Sequence, residues 1–419
     1  MRIGIFDHIS PKLGGGQLVA AQMAAQLSRD HDVELIHCGE GYSLSSLAQA
    51  FDVDLSRVKE CVVRHSDESF NLPGEVSTLV YLRDGLRANR QLTEPYDLFI
   101  YSGHGVPPFS YAKKGVIYCH FPKEGCPSET LSSVEGFKRR SQLSQWMYLT
   151  AYDWLWRYRM RGYQTVLANS MFTAHWIKQL WKKEAEVVYP PVSLQAPKAE
   201  KRNVIVSIGR FIDSHNSKNH TQQLKAFAKL LSKIDSGWRL TLIGFCTLVP
   251  KEVAYLEELR HLAKDMPVSF VVNAERSAVL RHLAEARLFW HTAGISNDNG
   301  TTAPAKMEHF GIVTVEAMLA GCVPLAPAHG GQVEIVEHGL SGYLCRDIEE
   351  LVEYSARLAA DKQLLDEMGC RAADRGRMFN QALFEQRIAQ VVDGCMSSLG
   401  GSMDERALNS KGSREVRTR

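Results

Sequence analysis

The chain has no long apolar run. No hydrophobic stretch approaches the ~18–20 residues of a spanning helix, so any membrane contact is expected to be peripheral. No secretory leader is expected, since Met1 runs straight into the strand-like RIGIFDH. The nine cysteines are scattered, with no C-x-x-C pair and no regular spacing; reduced thiols in a cytoplasmic setting are expected. A net charge of +2 supplies no global field to draw nucleic acid. His215 and His220, like His291 and His309, lack metal-ligand spacing on a common element, so no zinc site is expected. The triplet Asp52-Val53-Asp54 mimics a metal-binding D-x-D and reads as surface. Walker A and G-x-G-x-x-G phosphate motifs are missing too.

What is present is a soluble, globular composition, 45% apolar and 23% charged, over 419 residues. Single cores stop growing near ~250–300 residues, so two domains are the default. Short β-branched runs alternate with helix-period stretches almost end to end. IGIF, VELIH, LFIYS, GVIYCH and TVLANS come first; then NVIVSIG, WRLTLIG, VSFVV, RLFWHT, GCVPLAP and SGYLC. Such alternation predicts parallel sheets covered by helices on both faces. Between the two series lies VVYPPVSLQAPKAEKRN (187–203), whose three prolines and charges read as a linker. The expectation is two doubly wound Rossmann-like α/β domains, 1–195 and 196–378, facing a central cleft. A C-terminal helix over 379–400 is expected to pack back on the first domain, and the apolar-poor 401–419 to be a disordered tail.

In doubly wound sheets ligands sit beyond the carboxyl ends of the strands, so chemistry is sought in the loops that follow them. The first loop offers Gly14-Gly15-Gly16 before a helix, where free amides and the helix dipole meet an anion, or where a tight turn lets helix pack on strand. The second, SIGRFIDSHNSKNH (207–220), holds Arg210 and Lys218. Two cations there suit a diphosphate, the guanidinium as a fork and the ammonium as a point charge, though most Lys and Arg are merely solvated. The third contains KMEHFGIVTVEAM (306–318), with Glu308 and Glu316 separated by seven residues and Gly311 at a helix start. The amides of Phe310, Gly311 and Ile312 are then orphan donors, and glycine permits close approach of a ligand to the backbone. Each carboxylate alone has a plainer account, Glu308 as a dipole-friendly helix start and Glu316 as a solvated helix residue.

Glu308-His309-Phe310-Gly311 with Glu316, followed by AGCVPLAPAHGGQVEIVEHGLSGYL, resembles the retaining glycosyltransferases of the GT-B fold, family 4 (glycosyl transferases group 1). The glycine-rich first loop and the Arg210/Lys218 loop match as well. VIYCHFP, LANSMFTAHWIKQLW…VVYPPV and FWHTAG…EHFG look like the dolichol-linked-oligosaccharide α-1,2-mannosyltransferases, while the longer polar loop before Glu308 looks more like bacterial polysaccharide glycosyltransferases. The resemblance implies transfer of a hexose, mannose before others, from GDP-mannose or a UDP-hexose to a glycan or lipid-linked glycan, with no cofactor and no metal. It implies that Arg210 and Lys218 hold the diphosphate, with Phe310, Gly311 and Ile312 donating to it and Gly15 and Gly16 approaching it from the other domain. Glu308 would accept from the sugar and Glu316 from the ribose; His120 would touch the sugar, and the base would lie near Asn273. The rival readings are a GT-B nucleotide-sugar epimerase and a subunit that binds the nucleotide sugar without catalysis.

One stretch lies outside that set. FKRRSQLSQWMYLTAYDWLWRYRMRGY (137–163) mixes three tryptophans with basic residues at both ends, which suits a peripheral helix on anionic lipid. An aromatic stripe at helical spacing is more often core, and that is the expectation for these tryptophans.

Overall fold

Strand β1 (Arg2–His8) carries Ile3, Ile5 and Phe6, all fully buried, so apolar side chains leave both of its faces. A strand of that kind needs helices on both sides of its sheet. The computed structural model describes the chain except residues 9–13, 39–42, 64–77, 123–140, 195–196, 213–217, 236, 248, 296–302 and 413–419. β1 pairs in parallel with β2 (Asp32–His37) and β4 (Leu98–Gly103). With β3 (Lys59–Val62), β5 (Lys114–Cys119), β6 (Thr165–Ala168) and β7 (Glu186–Val187) they form a seven-stranded sheet, ordered β3-β2-β1-β4-β5-β6-β7.

The second sheet has six strands: β8 (Arg202–Ile208), β9 (Arg239–Gly244), β10 (Val268–Val272), β11 (Ala286–Trp290), β12 (Val323–Pro327) and β13 (Tyr343–Cys345). Their order is β10-β9-β8-β11-β12-β13, every pairing is parallel, and Phe289 of β11 stands beside Val206 of β8. Both orders reverse beside the first strand of the series, as doubly wound dinucleotide folds do.

The chain divides into two compact units, one of Met1–Leu167, Lys178–Val188 and Ala382–Arg419, the other of Ala168–Ile177 and Tyr189–Gln381. Two boundaries differ from the sequence reading. The second unit takes 168–177, and it takes the front of the proline segment. Val192 N–H donates to Phe379 O at 3.0 Å, and the Tyr189 ring lies 5.6 Å from Phe310 and 5.2 Å from Phe379. Prolines mark a change of direction in sequence; they do not reveal which core captures the flanking aromatics. The last helix, Gln381–Gly412, sets Phe384, Ile388, Val392 and Cys395 in the core of the first unit. It continues through 401–412, where a disordered tail was expected, because MDERALNSK is made largely of residues that tolerate helix despite its low apolar content. Residues 413–419 lie outside the described part. Asp52 of the D-x-D triplet ends the helix Leu44–Phe51 in a left-handed conformation, φ 53°, and Asp54 accepts from Ser56 N–H at 2.9 Å. The triplet therefore serves a helix end.

Candidate functional site

In the second unit the strand order reverses between β8 and β11, and the loops leaving these two strands meet. Gly209 and Arg210 follow β8, and His291 and Thr292 follow β11. Glycine at 209 leaves room for the lysine: a Cβ there would stand 2.2 Å from Cγ of Lys218. Asn219, in the left-handed region at φ 51°, stands just before a helix over His220–Leu231, and its Nδ2 donates to Thr292 O and Ile295 O at 3.1 Å each. Gln223 Nε2 contacts Ser207 Oγ at 2.8 Å, Thr292 Oγ1 at 2.7 Å and Lys218 O at 3.1 Å; Thr292 Oγ1 donates to the same Lys218 carbonyl. Lys218 thus leaves a backbone that a buried polar network holds still.

Its ammonium is ion-paired with Glu308 Oε2, and His291 Nε2 lies 3.3 Å from the same oxygen. Burial pushes the Glu308 carboxyl up, but the Lys218 charge and the His291 ring more than offset it, so the group is held well below the usual carboxylate range. Burial, aided by the Lys218 charge, pushes His291 down to about 4. At neutral pH the ring is uncharged. Arg210 is partly buried, and its guanidinium has no ion-pair or hydrogen-bond partner among the described residues.

The other wall is the helix start at Gly311, φ +120°, ahead of a helix over Ile312–Leu319. Three successive carbonyls are occupied from behind. Glu308 O accepts Gly331 N–H at 2.8 Å, His309 O accepts Ser170 Oγ at 2.6 Å, and Phe310 O accepts Gln332 Nε2 at 3.0 Å. The approach is close: Cβ atoms at Gly330 and Gly331 would lie 2.4 Å from Glu308 O and His309 O. The amides of Phe310 and Gly311 share planes with two of these carbonyls and so point away from them, and the amides of Phe310, Gly311 and Ile312 have no acceptor among the described residues. Orphan amides at a helix start, next to the Lys218–Glu308 pair, are donors of the kind that suit an anion.

Glu316, 5% exposed, is ion-paired with Arg276, the first residue of a helix over Arg276–Glu285. Sequence reading missed Arg276, which stands forty residues away in the chain. Asn273 has φ 53°, and its side chain exchanges hydrogen bonds with Cys246, 2.9 Å to the amide and 3.0 Å to the carbonyl. Its own amide donates to Gly244 O at 2.9 Å, so its side chain and N–H tie the β9 and β10 loops together. Glu334 accepts Met171 and Phe172 N–H at 2.7 and 2.8 Å and so caps the helix Met171–Trp181.

In the first unit Gly15 and Gly16 open the helix Gly15–Leu27, with Gly14 as its cap. His120, 4% exposed, follows β5 with Nε2 3.0 Å from Ser102 Oγ and its ring 5.2 Å from that of His104. The aromatic-basic stretch is helical over Gln142–Arg161. Its tryptophans correct the expectation of a core: Trp156 is buried against Trp181, but Trp146 and Trp154 are 64% and 62% exposed. Lys138, Arg139, Arg140 and His215 lie outside the described residues. His220 is fully buried beside Phe211, its pKa pushed down to about 4 by burial. Among the described residues no three His, Cys, Asp or Glu side chains are grouped to hold a metal.

Comparison with known proteins matches residues 193–375 to the glycosyl transferases group 1 and residues 13–196 to Glycosyltransferase Family 4. The GDP-Man:Man(3)GlcNAc(2)-PP-Dol alpha-1,2-mannosyltransferase of Dictyostelium discoideum is 26% identical over 68% of this chain and 60% of its own length. The Homo sapiens protein of that name is 33% identical over 50% and 44%. The Homo sapiens alpha-1,3/1,6-mannosyltransferase ALG2 is 27% identical over 68% and 70%. The chain thus spans 60% and 44% of the first two relatives. Among solved structures, Anabaena HepE with UDP and glucose superposes with a TM-score of 0.63 at 19% identity, over 94% of this chain and all of that one. WaaG, a glycosyltransferase of lipopolysaccharide biosynthesis, gives 0.59 at 14%, over 94% and 100%. These likenesses carry the fold.

Proposed function

The chain belongs to the glycosyl transferases group 1 with a GT-B fold, and from that premise we propose that it is a retaining hexosyltransferase using a nucleotide-diphospho-sugar. The observation that carries the reading is the meeting of Lys218, Glu308 and the three unpartnered amides at the β8/β11 reversal. Lys218, Arg210 and the amides of Phe310, Gly311 and Ile312 hold the diphosphate. Glu308 accepts from sugar hydroxyls, and Glu316, steadied by Arg276, serves the ribose. The base lies by the Asn273 loop.

Breaking the bond from sugar to diphosphate loads negative charge on the leaving oxygens. Fixed cations and amides stabilise it most in the transition state, each donor contributing about 3 kcal/mol. Before the donor arrives, Lys218 and Glu308 neutralise one another. On binding, the ammonium turns to the diphosphate and the carboxylate to the sugar. The departing phosphate takes the proton of the incoming hydroxyl on the same face, which gives retention without a flanking acid/base pair.

GDP-mannose is the first donor choice and a lipid-linked glycan the acceptor class, since the named relatives transfer mannose and two carry a dolichol-linked substrate in their names. Membrane contact falls to the Gln142–Arg161 helix. At about 100° per residue, Leu143, Trp146, Met147, Trp154, Arg157 and Arg161 fall in one stripe. All six are exposed, and apolar bodies flanked by guanidiniums suit an anionic lipid surface. No helix of the described residues is long and apolar enough to cross a membrane. Incubation with a panel of GDP- and UDP-sugars plus a lipid-linked glycan tests the reading, by which nucleotide is released and by the anomer of the product. An inverted product would refute retention, and release of neither nucleotide would refute the activity.

A further inference from the structure

The unpartnered amides at 310–312 depend on which way three peptide planes are turned. We propose that Ser170 is a positioning residue for the donor loop, backed by Glu334 and Tyr189; this rests on the nucleotide-sugar reading of the site.

Ser170 is fully buried, and its Oγ works in both directions. It accepts Thr173 N–H at 3.0 Å, as the cap of the helix Met171–Trp181, and donates to His309 O at 2.6 Å. One hydroxyl therefore ties a helix start to the peptide that joins His309 to Phe310. That peptide's other end is the Phe310 amide, so the carbonyl can face Ser170 only while the amide points the opposite way. The Phe172 ring lies parallel to that of His309, 6.4 Å away and tilted 14°. Two further groups fix the helix start. Glu334 takes the amides of Met171 and Phe172, and Tyr189 Oη donates to Glu334 Oε2 at 3.1 Å. Arg375 Nη2 in turn donates to Glu334 O at 2.6 Å, and the Tyr189 ring packs on Phe310.

None of these groups belongs to the Lys218–Glu308 pair; they lie behind the loop. Their effect is on the phosphate donors, since loss of the Ser170 hydroxyl removes the 2.6 Å bond that holds the His309 carbonyl and loosens the peptide it belongs to. Affinity for the diphosphate should fall while affinity for the base and ribose stays. A merely structural role would weaken both together.

The test is calorimetric titration of GDP and UDP, and of guanosine and uridine, into the full chain and its Ser170→Ala, Ser170→Cys and Ser170→Thr variants, with melting temperatures alongside. Ser170→Ala should bind the preferred diphosphate about tenfold more weakly with nucleoside binding unchanged. Ser170→Thr should restore it, because threonine keeps both the cap and the donor. Ser170→Cys, which nearly keeps the volume with a weaker donor, should fall between and carries the test if the alanine variant does not fold. Unchanged diphosphate binding in Ser170→Ala and Ser170→Cys, or equal losses for diphosphate and nucleoside, overturns the proposal. If the unaltered chain binds neither GDP nor UDP, the nucleotide-sugar reading itself fails.

Discussion

His291 shows how much one side chain's position can change its meaning. Its sequence context, FWHTAG, permits either a cleft residue or a buried one. The fold makes it both: 2% exposed, and 3.3 Å from the carboxylate of Glu308. No pattern in the chain signals that contact, because it depends on β11 ending beside β8. A pH dependence follows. His291 and His220 are each pushed down to about 4 from an ordinary 6.5. As pH falls below 6.5 the unfolded chain takes up these protons first, so the stability they contribute is full above 6.5 and lost progressively towards 4. Each contributes of the order of 3 kcal/mol. Urea midpoints measured at pH 7.5 and 5 should fall on acidification, and His220→Gln, which removes one of the two titrating rings, should remove a large part of the fall. An unchanged slope in that variant would contradict the assignment.

At the scale of elements, the helix start at Gly311 was legible: glycine, a resuming helical period and two carboxylates announce it. What holds it was not, since Ser170 and Gln332 reach its carbonyls from segments with no local mark. Gly311 at φ +120° admits no other residue without strain, and a Cβ there would also stand 2.1 Å from Gln332 Nε2. Gly311→Ala should therefore cost about 1–3 kcal/mol in denaturant unfolding and reduce donor turnover more than tenfold. Full turnover would show that the amides are not used. The pattern over Gln142–Arg161 marks a helix, but composition cannot say which side of an aromatic stripe a neighbour covers, and Trp146 and Trp154 stand outside the core. Binding to anionic liposomes should weaken with salt, with Arg157→Ala/Arg161→Ala and with Trp146→Ser/Trp154→Ser. Equal binding to neutral vesicles would argue against the charge part of this account.

For the whole molecule, β/α alternation was enough to give two parallel sheets, because strands buried on both faces are apolar throughout and announce their period. The exact membership of each unit was harder to read: Ala168–Ile177 joins the second unit through capping and stacking contacts far apart in sequence. The central claim is that the second unit holds a nucleotide-diphospho-sugar between the Lys218 loop and the Gly311 helix start. Its most direct test is the rate of GDP release from GDP-mannose by the unaltered chain, Lys218→Ala and Glu308→Ala, given a lipid-linked glycan and matched for melting behaviour. The account predicts at least a hundredfold loss in both variants, on the order expected for removing one charge-stabilising group. Turnover near that of the unaltered chain in either folded variant would contradict it.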